Sequence, residues 1–313
     1  MMCYLYRAAI VALLAFGSAT TAAGLTIGGA TSEWTPIEYG GLSPDPHNDQ
    51  QTGQREADIV GSATIPAIYT QFDDGGTIGD NSDDTIAFRF RMSTEQNPAG
   101  YGHVLLIGFD ASPGDANERI DLYMIMSNSG GSDSVQLYDP GAQANTSPNT
   151  TSTIAIAGTE VAHTATNYAW SQVDSTPLTG NCDGACALEL DDDVDLDNNG
   201  NDYFLSFSYS FQVVITELAN NGVNIDENSP LSYVFGSSTQ TNAFNQDLGG
   251  VDDTIADGAL SWSALGATSN VYSAAGAALP EPSTASLVAF GLVLLAAGTR
   301  RRERPLRSPA VAR

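Results

Sequence analysis

The residues whose types and spacing could do chemistry form one acidic run, Asp191-Asp192-Asp193-Val194-Asp195-Leu196-Asp197-Asn198-Asn199-Gly200-Asn201-Asp202. From Asp195 it reads Asp-x-Asp-x-Asn-Gly, the head of an EF-hand-type calcium loop. Hard oxygen ligands at alternate positions let one tight turn wrap a calcium ion, and the glycine permits the turn. The bidentate glutamate such a loop needs at its twelfth position is replaced by Ser206, and flanking helices are lacking, so a true EF-hand is not expected. The sequence instead offers Asp193, Asp195, Asp197 and Asn199 as calcium ligands, with Asp202 as a further candidate, in a structural site that borrows a carboxylate from elsewhere. The alternative is a solvated acidic loop leading into a strand. Asp80 to Asp84 and Asp252-Asp253 carry the same ambiguity.

Other chemistries find little support. There is no Gly-x-Ser-x-Gly elbow, phosphate loop or dinucleotide fingerprint. A glycosidase needs two carboxylates facing across a cleft, and an acid-rich chain does not single out a pair. The reading is therefore of a non-enzymatic protein. Cys182 and Cys186, in Asn-Cys-Asp-Gly-Ala-Cys, are expected to form a disulfide in an oxidising compartment. Zinc would need further ligands, and the histidines, His47, His103 and His163, are far from them in sequence.

The elements that must position these groups are mostly strands. Thr85 to Met92 alternates, with Ile86, Phe88, Phe90 and Met92 on one face and Thr85, Ala87, Arg89 and Arg91 on the other. The two arginines either balance neighbouring carboxylates or form a ligand-binding face. Over 202–210, Tyr203, Leu205, Phe207 and Tyr209 share one face, with Ser206, Ser208 and Ser210 on the other. The period then changes, because Phe211, Val214, Ile215 and Leu218 lie at helical spacing and Asn221-Gly222 stops them. This predicts one short helix near 211–220. Further strands are expected over 58–71 with a break at Pro66, and over 102–109, 119–127, 134–138, 153–157, 168–174, 231–237, 259–265 and 271–273. Trp170 reads as a core anchor rather than a sugar platform. Residues 24–54 read as irregular surface or as a short edge strand near 32–39.

Seven of the 11 basic residues, all arginines, lie outside 24–279, as do two of the 37 acidic ones. That body keeps Arg55, Arg89, Arg91 and Arg119 against 35 acids, a formal charge of −31. Such a surface repels nucleic acid and anionic membrane and favours divalent cations, salt or plain solubility.

Both termini point to export. Arg7, the apolar run Ala8 to Phe16 and the small residues Thr21-Ala22-Ala23 form a secretory signal peptide over 1–23. At the other end, Pro280-Glu281-Pro282 precedes an uncharged run, Ser283 to Thr299, and then Arg300, Arg301, Arg302 and Arg304. As a helix that run spans roughly 26 Å, just short of the bilayer's hydrocarbon core, with its arginines on the cytoplasmic side. Motif, span and basic tail together resemble the PEP-CTERM sorting signal of exported proteins in Gram-negative bacteria that make extracellular polysaccharide. The resemblance implies processing near Pro280, Glu281 and Pro282 by an exosortase-type enzyme. The membrane would then be met only through the C-terminal helix before processing. In the body, Asp202-Tyr203-Phe204-Leu205-Ser206-Phe207 and Phe235-Gly236-Ser237-Ser238-Thr239-Gln240 are similar to uncharacterised secreted bacterial proteins, which implies no activity.

The expected organisation is a signal peptide over 1–23, an acidic extracellular all-β domain over 24–279 and a sorting segment over 280–313. The domain is expected to be a jelly-roll-like β-sandwich. The expected function is that of an exported surface or matrix protein associated with extracellular polysaccharide. The alternatives are a calcium-stabilised carbohydrate-binding module and a polysaccharide-active hydrolase. An exposed row of Trp or Tyr would favour the first alternative, and a cleft flanked by two carboxylates the second.

Overall fold

The computed structural model describes residues 25–39, 45–62, 65–77, 80–95, 100–114, 118–129, 133–173, 195–196, 201–251 and 258–276. The expected signal peptide (1–23) and sorting segment (280–313) lie outside them. No helix among the described residues is long and apolar enough to cross a membrane.

Two antiparallel sheets carry the fold. The first joins β1 (Thr35–Pro36), β2 (Ile68–Asp73), β3 (Thr85–Met92), β9 (Tyr168–Gln172) and β10 (Tyr203–Ser210) in the order β1-β2-β3-β10-β9. The second is built from β4 (Val104–Asp110), β5 (Leu122–Ser127), β6 (Ser134–Pro140), β7 (Thr153–Ala155), β11 (Pro230–Ser238) and β12 (Asp247–Leu248). Its order is β12-β11-β4-β5-β6-β7, with β8 (Val161–Ala162) on β6 and β13 (Tyr272–Ser273) on β11. The chain crosses from the first sheet to the second between β3 and β4, returns between β8 and β9, and crosses again from β10 to β11 through α1 (Phe211–Asn220).

The alternation read along 85–92 and 203–210 sets the register. β3 and β10 pair from Tyr203 opposite Met92 to Ser210 opposite Thr85. A two-residue period puts Ile86, Phe88 and Phe90 on the same inner face as Leu205 and Phe207. All five are fully buried and meet Phe109, Met124, Leu137, Tyr233 and Phe235 of the second sheet in one core, which makes the molecule a β-sandwich. Helix α1 closes one end of this core with Phe211, Val214 and Leu218. A second cluster, with Val104, Tyr123, Val234, Phe244 and Trp262, packs on the outer face of the second sheet.

Three local expectations are corrected. The strand expected over 58–71 is confined to β2, while Ile59 makes only an isolated bridge to Met92. In place of a strand over 259–265 there is a single helical turn, Trp262–Leu265. Ser261 caps its start by accepting from Ala264 N, and Gly266 ends it at φ 80°, a backbone conformation that favours glycine. This turn also means that α1 is not the body's one helix. Finally, the Arg89 face of β3 is covered. Ile27 and Trp34 pack over Tyr69 and Ala87, so residues 27–34 form a third apolar layer and not irregular surface, while β1 is the short edge strand expected near 32–39.

Candidate functional site

The calcium candidates fall in the connection between β9 and β10. Cys182, Cys186, Asp193, Asp197 and Asn199 lie outside the described residues, as do Pro280, Glu281 and Pro282. Asp195 is half-buried at the start of a turn. Asp202, at the foot of β10, is fully buried, and its Oδ2 accepts from Arg91 Nε at 2.6 Å and from Leu196 N at 3.3 Å. Arg91 NH2 lies 2.6 Å from the same oxygen. The carboxylate expected to face calcium is thus held in a buried ion pair.

The other arginine of that face is wrapped by the N-terminal segment. The Arg89 guanidinium lies 4.4 Å from the Trp34 ring centroid and 5.1 Å from that of Phe204. It donates to Ser206 Oγ (2.8 Å), Thr31 Oγ1 (2.9 Å), Gly29 O (2.8 Å) and Ile27 O (3.2 Å). Arg91 balances a carboxylate, while Arg89 fastens residues 27–34 to the sheet.

The densest group of potential ligand atoms was not singled out by the sequence. Carboxylate oxygens of Asp49, Asp58 and Asp247 lie within 4.8 Å of one another. Asp58 and Asp247 are buried, and Asp49 is half-buried. Asp247 arrives on β12, beside Ser237 of β11. The segment 45–60 is laid against that edge. Gln51 N donates to Gln246 O, Val60 N to Arg91 O, and Ser237 Oγ to Ala57 O. Within the cluster, Asp247 Oδ2 accepts from Ile59 N (2.6 Å), Oδ1 from Leu248 N (2.7 Å), and Asp58 Oδ2 from Asn48 N (2.9 Å). Asn48 holds φ 65°, which turns its amide toward Asp58.

A fourth aspartate lies near this group, outside the set within 4.8 Å. Asp45 is wholly buried and its Oδ1 accepts from Gly250 N at 3.0 Å, while Oδ2 meets no hydrogen-bond donor. Burial raises its pKa well above the carboxylate range, and the charges of Asp247, Asp49 and Asp58 raise it further. Asp247 is raised likewise, by burial first and then by Asp49 and Asp58. In chemical terms these are hard, like-charged oxygen donors in a low-dielectric pocket. Such a set is stabilised either by protons or by a cation.

A second carboxyl shows the same physics more mildly. Asp84 is buried where the turn before β3 meets α1, and its O accepts from Phe211 N. Burial, followed by Glu227, Asp83, Asp74 and Asp80, raises its pKa from 3.8 to about 6. Because the folded value exceeds the unfolded one, the native state binds the extra proton. The charged form therefore lowers stability above about pH 6, and the loss is relieved as pH falls toward about 4. Asp84→Asn should raise Tm at pH 8, with the gain disappearing near pH 4. Thermal unfolding of both proteins at the two pH values checks this, and a gain independent of pH would contradict it.

The carbohydrate criteria can be examined in part. Trp170 is half-buried, packs against the margin of the core and stacks on Tyr203, with centroids 5.0 Å apart and planes at 4°. Among the described residues the exposed large apolar side chains are Ile154, Val161 and Leu260, with no aromatic ring among them. A depression of about 180 Å³ is lined by Asp110, Glu118, Ser232 and Trp262, among others. Comparison of the chain with protein-family models, with curated proteins and with solved structures gave no match.

Proposed function

We propose that this is an exported protein, cut near Pro280-Glu281-Pro282 by an exosortase-type enzyme and kept at the cell surface or in the extracellular matrix beside polysaccharide. The observation that carries the reading is the order of the C-terminal parts: the Pro-Glu-Pro motif, the uncharged run 283–299 and the arginines from 300. In this reading the body is a durable, acidic β-sandwich and not a catalyst. A turn at Asp193, Asp195, Asp197 and Asn199 that calcium orders belongs to the same proposal. We propose the sandwich without jelly-roll winding. A jelly roll traverses its paired strands in opposite order between the sheets, whereas β3 to β4 and β10 to β11 cross in the same order.

Intact-mass measurement on protein recovered from the cell exterior tests the sorting. The expected mass lacks both residues 1–23 and the segment Ser283 to Arg313. A mass that retains the arginine tail would exclude the reading.

A further inference from the structure

We propose that Asp49, Asp58 and Asp247 form a buried calcium site, beside the buried Asp45, that locks the 45–60 segment onto the β12 edge of the second sheet. The site is separate from the acidic turn before β10 and does not rest on the sorting proposal.

The first argument is geometric. Two oxygens bound to one calcium ion are at most about 5 Å apart, since each bond is about 2.3–2.6 Å. The ligand oxygens of Asp49, Asp58 and Asp247 lie within 4.8 Å of one another, so one ion can touch all three without the chain moving far.

The second argument is independent of that triad. Asp45 Oδ2 belongs to a fully buried residue and has no donor to accept from, although Oδ1 is held by Gly250 N. Leaving a buried carboxylate oxygen unsatisfied is costly. The Asp45 carboxyl lies close enough to the other three for each of their charges to act on it. A cation held by Asp49, Asp58 and Asp247 would offset the negative charge that gathers around this buried carboxyl.

The third argument concerns the choice of ion. All the donors are oxygens, most of them charged, and they come from an irregular loop and a strand edge. Calcium accepts such an uneven oxygen set, whereas magnesium demands near-octahedral geometry and keeps its waters. The backbone donors explain why the site stays assembled around its ligands. Ile59 N and Leu248 N hold the two Asp247 oxygens and Asn48 N holds Asp58 Oδ2, which leaves other lone pairs for the metal.

The segment at stake ties several parts of the sandwich together. Ser93 N donates to Asp58 O at 2.9 Å, and Gly61 N to Asp45 O at 2.8 Å. A bound ion would therefore brace the end of β3, the crossover to β4 and the edge of the second sheet at once.

The full-length chain, stripped of divalent ions, is to be titrated with calcium chloride by calorimetry. It is then melted with calcium or with chelator at matched ionic strength, because screening alone stabilises so acidic a chain. At about a hundredfold excess over Kd, calcium should raise Tm by roughly 5–10 °C. Asp58→Asn and Asp247→Asn should each remove most of that rise, while the double variant Asp195→Ala/Asp197→Ala keeps it. Because an asparagine variant can fail to fold, europium is bound to the wild-type protein as a luminescent probe that calcium displaces. Its lifetimes in light and heavy water count the coordinated waters. Few waters are expected for ligands this buried. No calorimetric calcium binding, a rise that magnesium reproduces at equal concentration, a well-hydrated europium ion, or a rise lost only in the Asp195→Ala/Asp197→Ala variant would each overturn the site.

Discussion

Replacing Phe88 by alanine is expected to cost about 3–5 kcal/mol of unfolding free energy. Phe88 sits in the middle of β3 and is fully buried. Its ring meets Phe207 of its own sheet at 6.3 Å, and Tyr233, Phe235 and Phe109 of the facing sheet at 5.5, 5.9 and 6.1 Å. The contacts with Phe109, Tyr233 and Phe235 are edge-to-face, the arrangement in which a positive ring edge meets a negative ring face. Truncation removes the apolar transfer energy and leaves a cavity between two hydrogen-bonded sheets, which cannot close on it without breaking their ladders. Ile86→Val, on the same face, removes one methylene and should cost only about 0.5–1.5 kcal/mol. Urea unfolding of both variants is the check. A Phe88→Ala loss no larger than that of Ile86→Val would mean that the sheets do not meet at this layer.

Asp202→Ala should cost a similar amount, about 3–5 kcal/mol, because it leaves the Arg91 guanidinium buried without its carboxylate. The Arg91 and Asp202 side chains are 4 % and 0 % exposed, so water does not replace the lost partner. Arg91→Ala should cost about as much, and the two losses should fall well short of adding in the double variant. Arg91→Met with Asp202→Leu should recover much of the stability, since an apolar pair carries no desolvation penalty. The Asp202→Ala loss should be the same with calcium and with chelator. A loss that appears only with calcium would return Asp202 to the metal and make the ion pair secondary.

These two sites show what could be read locally. Ile86, Phe88, Phe90 and Met92 announced their shared face, and Tyr203 to Tyr209 did the same, because a strand's side chains alternate whatever lies around them. The helix at Phe211 was legible where a period of two gives way to spacings of three and four. Around Trp262, apolar content suggested a strand, yet Ser261 and Gly266 supplied the caps of a turn. The cue was present there, but it was outweighed by a weaker one.

The candidate site was barely legible. Asp45 and Asp49 stand four residues apart in a stretch rich in turn formers, and nothing in that spacing separates a ligand pair from a solvated loop. Asp247 lies 188 residues from Ile59, whose amide it accepts. Likewise, Arg89 and Arg91 alternate with the core positions, but what covers them comes from residues 27–34 and from Asp202.

The sequence by itself therefore determined the faces of β3 and β10, the start of α1, the excess of acid, and the order of parts at each end of the chain. These follow from backbone periodicity and from residue chemistry, which act between near neighbours. Only the tertiary structure decided which carboxylates meet. Burial and mutual repulsion depend on distances in space, and it is the folding of the 45–60 segment against the β12 edge that places Asp45, Asp49 and Asp58 beside Asp247.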